Sequence, residues 1–292
     1  MSIVTFWNDD KEQTGKTLTS VAVALRMAIE RNFRILLIST GYKEETMGNC
    51  FFTGQPTQNA FAGKASGVAV ENGIEGLSKL VSSKKIQANI ITDYTKVIFK
   101  NRLEVLNGYN GSSEETEEAN FRNYQKTSET YADLIKTANQ YYDMVLVDID
   151  NRLEEHIKKQ ILAVSNLNVL VMSQRLASLN KYNQLKANNK EILGPKCIPV
   201  LGKYNTKTKY NKKNIMRVLE EKKEINVVPY NTLFFEAAEE AGVAELFLKL
   251  RDLKDTSDEN YFFMDEVLKL TNSIIKRLQE LQMKMRWENV DF

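Results

Sequence analysis

Asp10-Lys11-Glu12-Gln13-Thr14-Gly15-Lys16-Thr17 decides how this chain is read. Before it stands Ser2–Trp7 (SIVTFW), an apolar, β-branched run of strand length. After it, residues 17–31 carry Val21, Ala24, Leu25, Ala28 and Ile29 at helical spacing, so one stripe of that helix is predicted to face a sheet. A turn between a buried strand and a long helix directs backbone N–H groups and the helix N-terminus at one point in space, which favours a bound anion. Gly15, Lys16 and Thr17 supply what a triphosphate with Mg²⁺ then needs: a tight turn, an ammonium for the phosphates and a hydroxyl for the cation. Asp10 stands where the phosphate-loop pattern has its first glycine, so the match is incomplete.

Further apolar runs continue the alternation. Residues 34–39, 144–149 and 167–172 read as strands, with shorter candidates at 198–201 and 226–228, and helical stretches lie between them. At least six strands alternating with helices predict an α/β fold: a doubly wound, mainly parallel sheet with helices on both faces. Residues 124–141 read as one helix. Residues 107–120 (NGYNGSSEETEEAN) read as an exposed acidic loop, and residues 262–287 as a closing helical segment. With no Pro-rich linker and no repeat, a single domain over 1–292 is the simplest expectation.

Composition narrows the function. The 292 residues are 42% hydrophobic and 27% charged, ordinary values for a globular chain. No run approaches the ~20 apolar residues of a membrane span, and the first residues lack a signal peptide's basic and apolar pattern. Two cysteines, Cys50 and Cys197, and one histidine, His156, offer no soft-ligand cluster for zinc. A cytoplasmic location follows as the expectation. The 40 basic and 38 acidic residues leave a net charge of +2, which gives no global reason to expect nucleic acid.

Lys11 followed by Gly15-Lys16-Thr17 resembles the deviant Walker A loop, K-G-G-x-G-K-[ST], of the ParA/MinD ATPases, a P-loop NTPase superfamily. The stretch from Tyr142 to Asp148 (YDMVLVD) is similar to that family's Walker B strand. Lys203-Tyr204-Asn205 and the turn Val228-Pro229-Tyr230-Asn231 resemble its late adenine-side segments. The resemblance spans residues 1–245. It implies ATP and Mg²⁺ as cofactors, with Lys11, Thr14, Gly15, Lys16, Thr17, Asn205 and Pro229 at the nucleotide and Thr17 and Asp148 at the metal. It also implies a homodimer in which Lys11 crosses to the partner's nucleotide.

Two departures bear on hydrolysis. Glu12 and Gln13 replace the family's paired glycines, placing a carboxylate beside the phosphates. After the second strand the family has I-D-x-D, whose second aspartate positions the attacking water, whereas this chain reads Ile38-Ser39-Thr40-Gly41. Glycine can neither orient nor deprotonate water; Glu44 or Glu45, a few residues on, could substitute, with an exposed loop acid the favoured reading of both. Hydrolysis is therefore expected to be slow or absent, so no catalytic residue is assigned.

The lysine-rich residues 203–213 (KYNTKTKYNKK) read as a solvated loop rather than a nucleic-acid surface. Leu270, Ile274, Ile275, Leu278, Leu281 and Met285 give the last helix an apolar face for packing on the domain or a partner, and Lys276, Arg277, Lys284 and Arg286 line its other face. Phe234 and Phe235 are both expected in the core, with Glu236, Glu239 and Glu240 in solvent. Within the superfamily, the degenerate loop resembles the TadZ/CpaE branch. That implies an atypical nucleotide-binding dimer that localises or helps assemble a Flp/Tad pilus secretion apparatus, with pilus or secretion assembly proteins as partners. Recruitment to the inner face of the membrane would then run through a partner. The alternatives are a partitioning ATPase that binds DNA nonspecifically and a metabolic P-loop enzyme of the same superfamily; the cysteine spacing disfavours an iron–sulfur reductase.

Overall fold

The computed structural model describes residues 1–10, 13–52, 73–188, 193–221 and 224–288, with side chains up to 284. An eight-stranded sheet runs through it in the order β3-β4-β2-β5-β1-β6-β7-β8. Its strands are β1 (Ser2–Trp7), β2 (Ile35–Ser39), β3 (Lys96–Phe99), β4 (Leu103–Leu106), β5 (Met144–Asp148), β6 (Leu167–Met172), β7 (Cys197–Tyr204) and β8 (Asn226–Pro229). All neighbours are parallel except the β3–β4 pair at one edge. β1 lies between β5 and β6, where the winding reverses direction. In doubly wound sheets the crevice beyond the strand ends at that point is where ligands bind, and the β1 loop opens into it.

Alternate strand residues feed two cores. Ile3, Leu36, Ile38, Val145 and Val147 pack toward α3 (Ile74–Ser82), α4 (Glu117–Ser128), α5 (Tyr131–Ala138), α6 (Glu155–Val164), α7 (Leu176–Asn188) and α8 (Lys212–Val218). Val4, Phe6, Ile35, Leu37 and Leu146 pack the other way, toward α1 (Lys16–Glu30), α2 (Thr46–Asn49), α9 (Thr232–Glu239), α10 (Val243–Leu250) and α11 (Glu259–Glu288). α1 is buried around most of its circumference, including Ala22, Val23 and Met27 outside the expected stripe. The reason is α11, which lies over α1 and β8 and buries Leu270, Ile274 and Leu278 in the same core. Its apolar face is thus engaged within the chain. Among the described residues no helix is long and apolar enough to cross a membrane.

Several expectations need correcting. Phe234 is buried against Phe247 and Phe263, with ring centroids 5.7 and 4.9 Å away, whereas Phe235 is 43% exposed. One step along a helix turns a side chain by about 100°, so both rings cannot enter one core. The three glutamates of that segment are exposed, as expected. The helix foreseen over 124–141 is two helices, α4 and α5, with Tyr124 and Tyr131 both buried. The loop foreseen over 107–120 is only partly exposed. Tyr109 is buried beside Tyr42 and Tyr124, and residues from 117 onward already belong to α4, capped by the Thr116 hydroxyl. The β3–β4 hairpin was not foreseen.

Candidate functional site

The β1 loop, the end of β2 and the end of β5 converge on one buried cluster. Gly15 caps α1 with φ +79°, a left-handed conformation that glycine adopts without strain. Lys16 follows and folds its side chain back beneath the loop. Its Nζ lies 2.8 Å from Asp148 Oδ1 and also donates to the Ile149 carbonyl. The Thr17 hydroxyl donates to Asp148 Oδ2 at 2.7 Å. Asp148, 1% exposed, ends β5 in register with Phe6 of β1 and Ser39 of β2. A buried carboxylate is tolerable only when paired; here the Lys16 ammonium lies at ion-pair distance from Oδ1, which receives no hydrogen bond, and the Thr17 hydroxyl donates to Oδ2.

β7 supports the loop from behind. A Cβ placed on Gly202 would lie 2.2 Å from the Thr14 carbonyl oxygen, so only glycine lets the β1 loop sit this close to the strand. The Thr14 hydroxyl is buried without a hydrogen-bond partner. Asp10, the residue in place of the first glycine, is drawn away from the loop's mouth: its carboxylate accepts from Ser178 Oγ on α7. Lys181, one turn further along α7, pairs with Asp9 at 3.2 Å. Gln13 is exposed, and its Oε1 lies 3.5 Å from Lys203 Nζ. Lys11 and Glu12 lie outside the described residues.

The loop after β2 holds the principal departure from expectation. Glu44 is not an exposed loop acid. It is half-buried, with Oε1 3.3 Å from the Thr17 hydroxyl. Burial, and next the nearby charge of Asp148, raise its carboxyl above the ordinary range, with Lys16 opposing. Its position follows from its neighbours. The Tyr42 N–H donates to Asp150 Oδ2 at 3.1 Å, and the Tyr42 ring packs on Tyr109 and Tyr124. Lys43 then takes φ +47° and turns the chain. Asp150 is itself fixed by Arg152, 2.8 Å from its Oδ2. Burial works to raise the Asp150 carboxyl, but the hydrogen bonds from Arg152 and Tyr42 outweigh it and leave it below the usual range.

On the other side of β1 the residues are looser. Asn205 is exposed at the end of β7, its Oδ1 accepting from the Lys207 N–H at 2.8 Å. Pro229 is buried at the end of β8, next to Tyr230, which is 55% exposed. Gln174, just beyond β6 and not singled out in the sequence, fixes this edge: it accepts from the Asn205 N–H at 2.7 Å and donates to the Tyr210 carbonyl at 2.8 Å. In the lysine-rich segment, Lys212 is paired with the buried Glu266 at 2.7 Å and with Glu224 at 3.1 Å. Cys50 and Cys197 are buried in separate cores, and burial pushes both thiols up to about 12.

No protein-family model and no characterised relative matches the chain in sequence. Solved structures do match. A ParA family ATPase from Chlorobium tepidum superposes with a TM-score of 0.65 at 16% identity, over 92% of this chain and 97% of that one. The fold is that of the ParA/MinD P-loop ATPases. The septum site-determining protein MinD of Pyrococcus horikoshii, solved with Mg-ADP, gives 0.63 at 13% identity, over 94% and 95% of the two chains. A chain of the MinC:MinD cell division protein complex of Aquifex aeolicus gives 0.57 at 11% identity, over 93% and 96%. Gly15, Lys16 and Thr17 thus follow β1 in a ParA/MinD-like fold.

The site's donors suit a nucleotide with its metal. Among the described residues no three His, Cys, Asp or Glu side chains gather as a metal cage. Thr17, Asp148 and Glu44 offer hard oxygens in a small set, and Mg²⁺ is ordinarily bound by one or two carboxylates completed by phosphates and water. The buried, unpartnered Thr14 hydroxyl and the glycine-backed loop fit a phosphate cradle.

Proposed function

We propose that the chain is an atypical ParA/MinD-like protein that binds ATP with Mg²⁺ at the β1 loop, dimerises around it and hydrolyses it slowly or not at all. The observation that carries this reading is the buried Lys16–Asp148–Thr17 cluster at the mouth of β1. In it, the N–H groups of Thr14, Gly15 and Lys16 cradle phosphate, Lys16 meets the β- and γ-phosphates, and Thr17 and Asp148 hold the cation side. Asn205 and Pro229 would flank the base, and the family resemblance gives Lys11, outside the described residues, the role of reaching the partner's nucleotide. The nucleotide supplies the negative charge and bound Mg²⁺ that these groups recognise. The Mg-ADP carried by the P. horikoshii protein of the same fold supports the ligand assignment.

The dimer is proposed as a localisation factor for a Flp/Tad pilus secretion apparatus, on the resemblance of its degenerate loop to the TadZ/CpaE branch. The Aquifex complex supports a partner-recruiting role for the fold. Acting from the cytoplasm, it would reach the membrane through that partner, as one domain spanning 1–292. Light scattering tests the switch: ATP with Mg²⁺ should convert monomer to dimer and ADP should not. An unchanged mass with ATP rejects it. Co-purification with the pilus secretion ATPase or membrane-platform proteins tests the role, and recovery of a centromere-binding protein instead would favour partitioning.

A further inference from the structure

Gly41 and Glu44 compete for the same space. A Cβ added to Gly41 would lie 2.8 Å from Glu44 Cβ and 2.8 Å from Glu44 Oε2. The Glu44 carboxylate therefore stands where a side chain at position 41 would stand, the position at which the related pattern carries an acid. Its other oxygen faces the Thr17 hydroxyl at 3.3 Å, and that hydroxyl has only one proton, given to Asp148 at 2.7 Å. Two carboxylates thus converge on one hydroxyl. The arrangement is built in from behind as well: Gly108 packs so closely that a Cβ there would lie 2.3 Å from the Gly41 carbonyl oxygen, and the Tyr109 N–H donates to that carbonyl at 2.8 Å.

We infer that Glu44 replaces the acid missing at position 41 and serves as the second carboxylate of the divalent-cation site, contacting the nucleotide's Mg²⁺ or its bound water. The inference rests on the nucleotide reading above. Like-charged carboxylates side by side are unfavourable unless a cation lies between them, and the Lys16 ammonium is one charge facing two acids. A Mg²⁺ ion beside Thr17 supplies the remainder. Glu44 is then a positioning group for the cation, its carboxylate filling the space that an acid at position 41 would take.

Calorimetric titration of ATP into the full chain, once in excess Mg²⁺ and once in EDTA, tests this with a binding readout. Four proteins are compared: wild type, Glu44→Gln, Glu44→Ala, and Glu44→Ala combined with Gly41→Asp. In EDTA all four should bind ATP alike. In Mg²⁺ the two single variants should bind about tenfold more weakly than wild type, the size typical of losing a group that orients a metal site. The double variant, with its acid returned to position 41 and the obstructing side chain removed, should recover most of the loss. Equal Mg²⁺-dependent affinity in wild type and Glu44→Gln overturns the inference. So does a loss of equal size in EDTA and Mg²⁺, which marks a structural role. Should Glu44→Ala fold poorly, the near-isosteric Glu44→Gln decides alone. Absence of binding by wild type in either condition overturns the nucleotide reading and this inference with it, whereas binding by wild type with unaffected variants overturns this inference only.

Discussion

The two halves of the crevice beyond the strand ends are built differently. On the β1–β2–β5 side, Lys16, Asp148 and Asp150 are buried, paired and tied to strand termini. On the β7–β8 side, Asn205 is exposed, Tyr230 is 55% exposed, and the loop is held by Gln174 and local turns. Charges taken out of water must be fixed in advance, because each unpaired one costs several kcal/mol. A flat base needs only an open edge. The β1–β2–β5 side, where the proposed reading puts phosphate and cation, is therefore preformed, and the β7–β8 side, where it puts the base, is open.

That contrast predicts a graded response to substitution. Lys16→Ala should have the largest effect, leaving Asp148 buried with one partner fewer. Removing one member of a buried pair costs about 3–5 kcal/mol, so the urea midpoint should fall sharply even without nucleotide. A midpoint unchanged from wild type would show that Asp148 is not paired in solution. Gly202→Ala comes next. The added methyl meets the Thr14 carbonyl, and overpacking of this kind costs about 1–3 kcal/mol, with ATP affinity falling as the loop is displaced. If stability and affinity both hold, the loop is not seated on β7.

Asp150→Asn should cost about 2 kcal/mol at neutral pH, the scale of hydrogen bonds made to a charged group. Its pH dependence has a definite sign. A carboxyl held below its ordinary value contributes stability above that value and loses it as pH falls through the lowered one. The gap between wild type and Asp150→Asn should thus close in acid, below about pH 4; a gap that widens in acid contradicts the pairing. Smallest is Asn205→Ala on the open side, within about 0.5 kcal/mol of wild type, with nucleotide affinity changed only a fewfold. A loss there as large as that at Lys16 would erase the contrast between the halves.

How much of this was legible in the sequence depended on distance along the chain. The strand–loop–helix of residues 2–30 was readable because the apolar period switches from strand to helix across Gly15-Lys16-Thr17, and β6 was placed with its observed bounds. Asp148 was readable as an acid ending a buried run. β3 and β4 were missed because the turn between them centres on Asn101 at φ +60°, with no Gly or Pro to mark it. Glu44 was misplaced for a different reason. Its carboxylate enters the site because Lys43 turns the chain and Tyr42 is held by Asp150, 108 residues away, and Tyr109, 67 residues away. Nothing in Gly41-Tyr42-Lys43-Glu44 taken alone shows that the Glu44 carboxylate fills the space beside Gly41. Phe235 was misjudged because apolarity alone does not say which of two adjacent helical residues faces inward.

The most direct measurement is ATP binding by the wild-type chain, titrated calorimetrically with and without Mg²⁺. One site per chain, weakened about tenfold or more when EDTA removes the cation, is the predicted result. No binding at millimolar ATP in the presence of Mg²⁺ would contradict it, and would leave the Lys16–Asp148–Thr17 cluster as a structural ion pair in a fold that has given up its nucleotide.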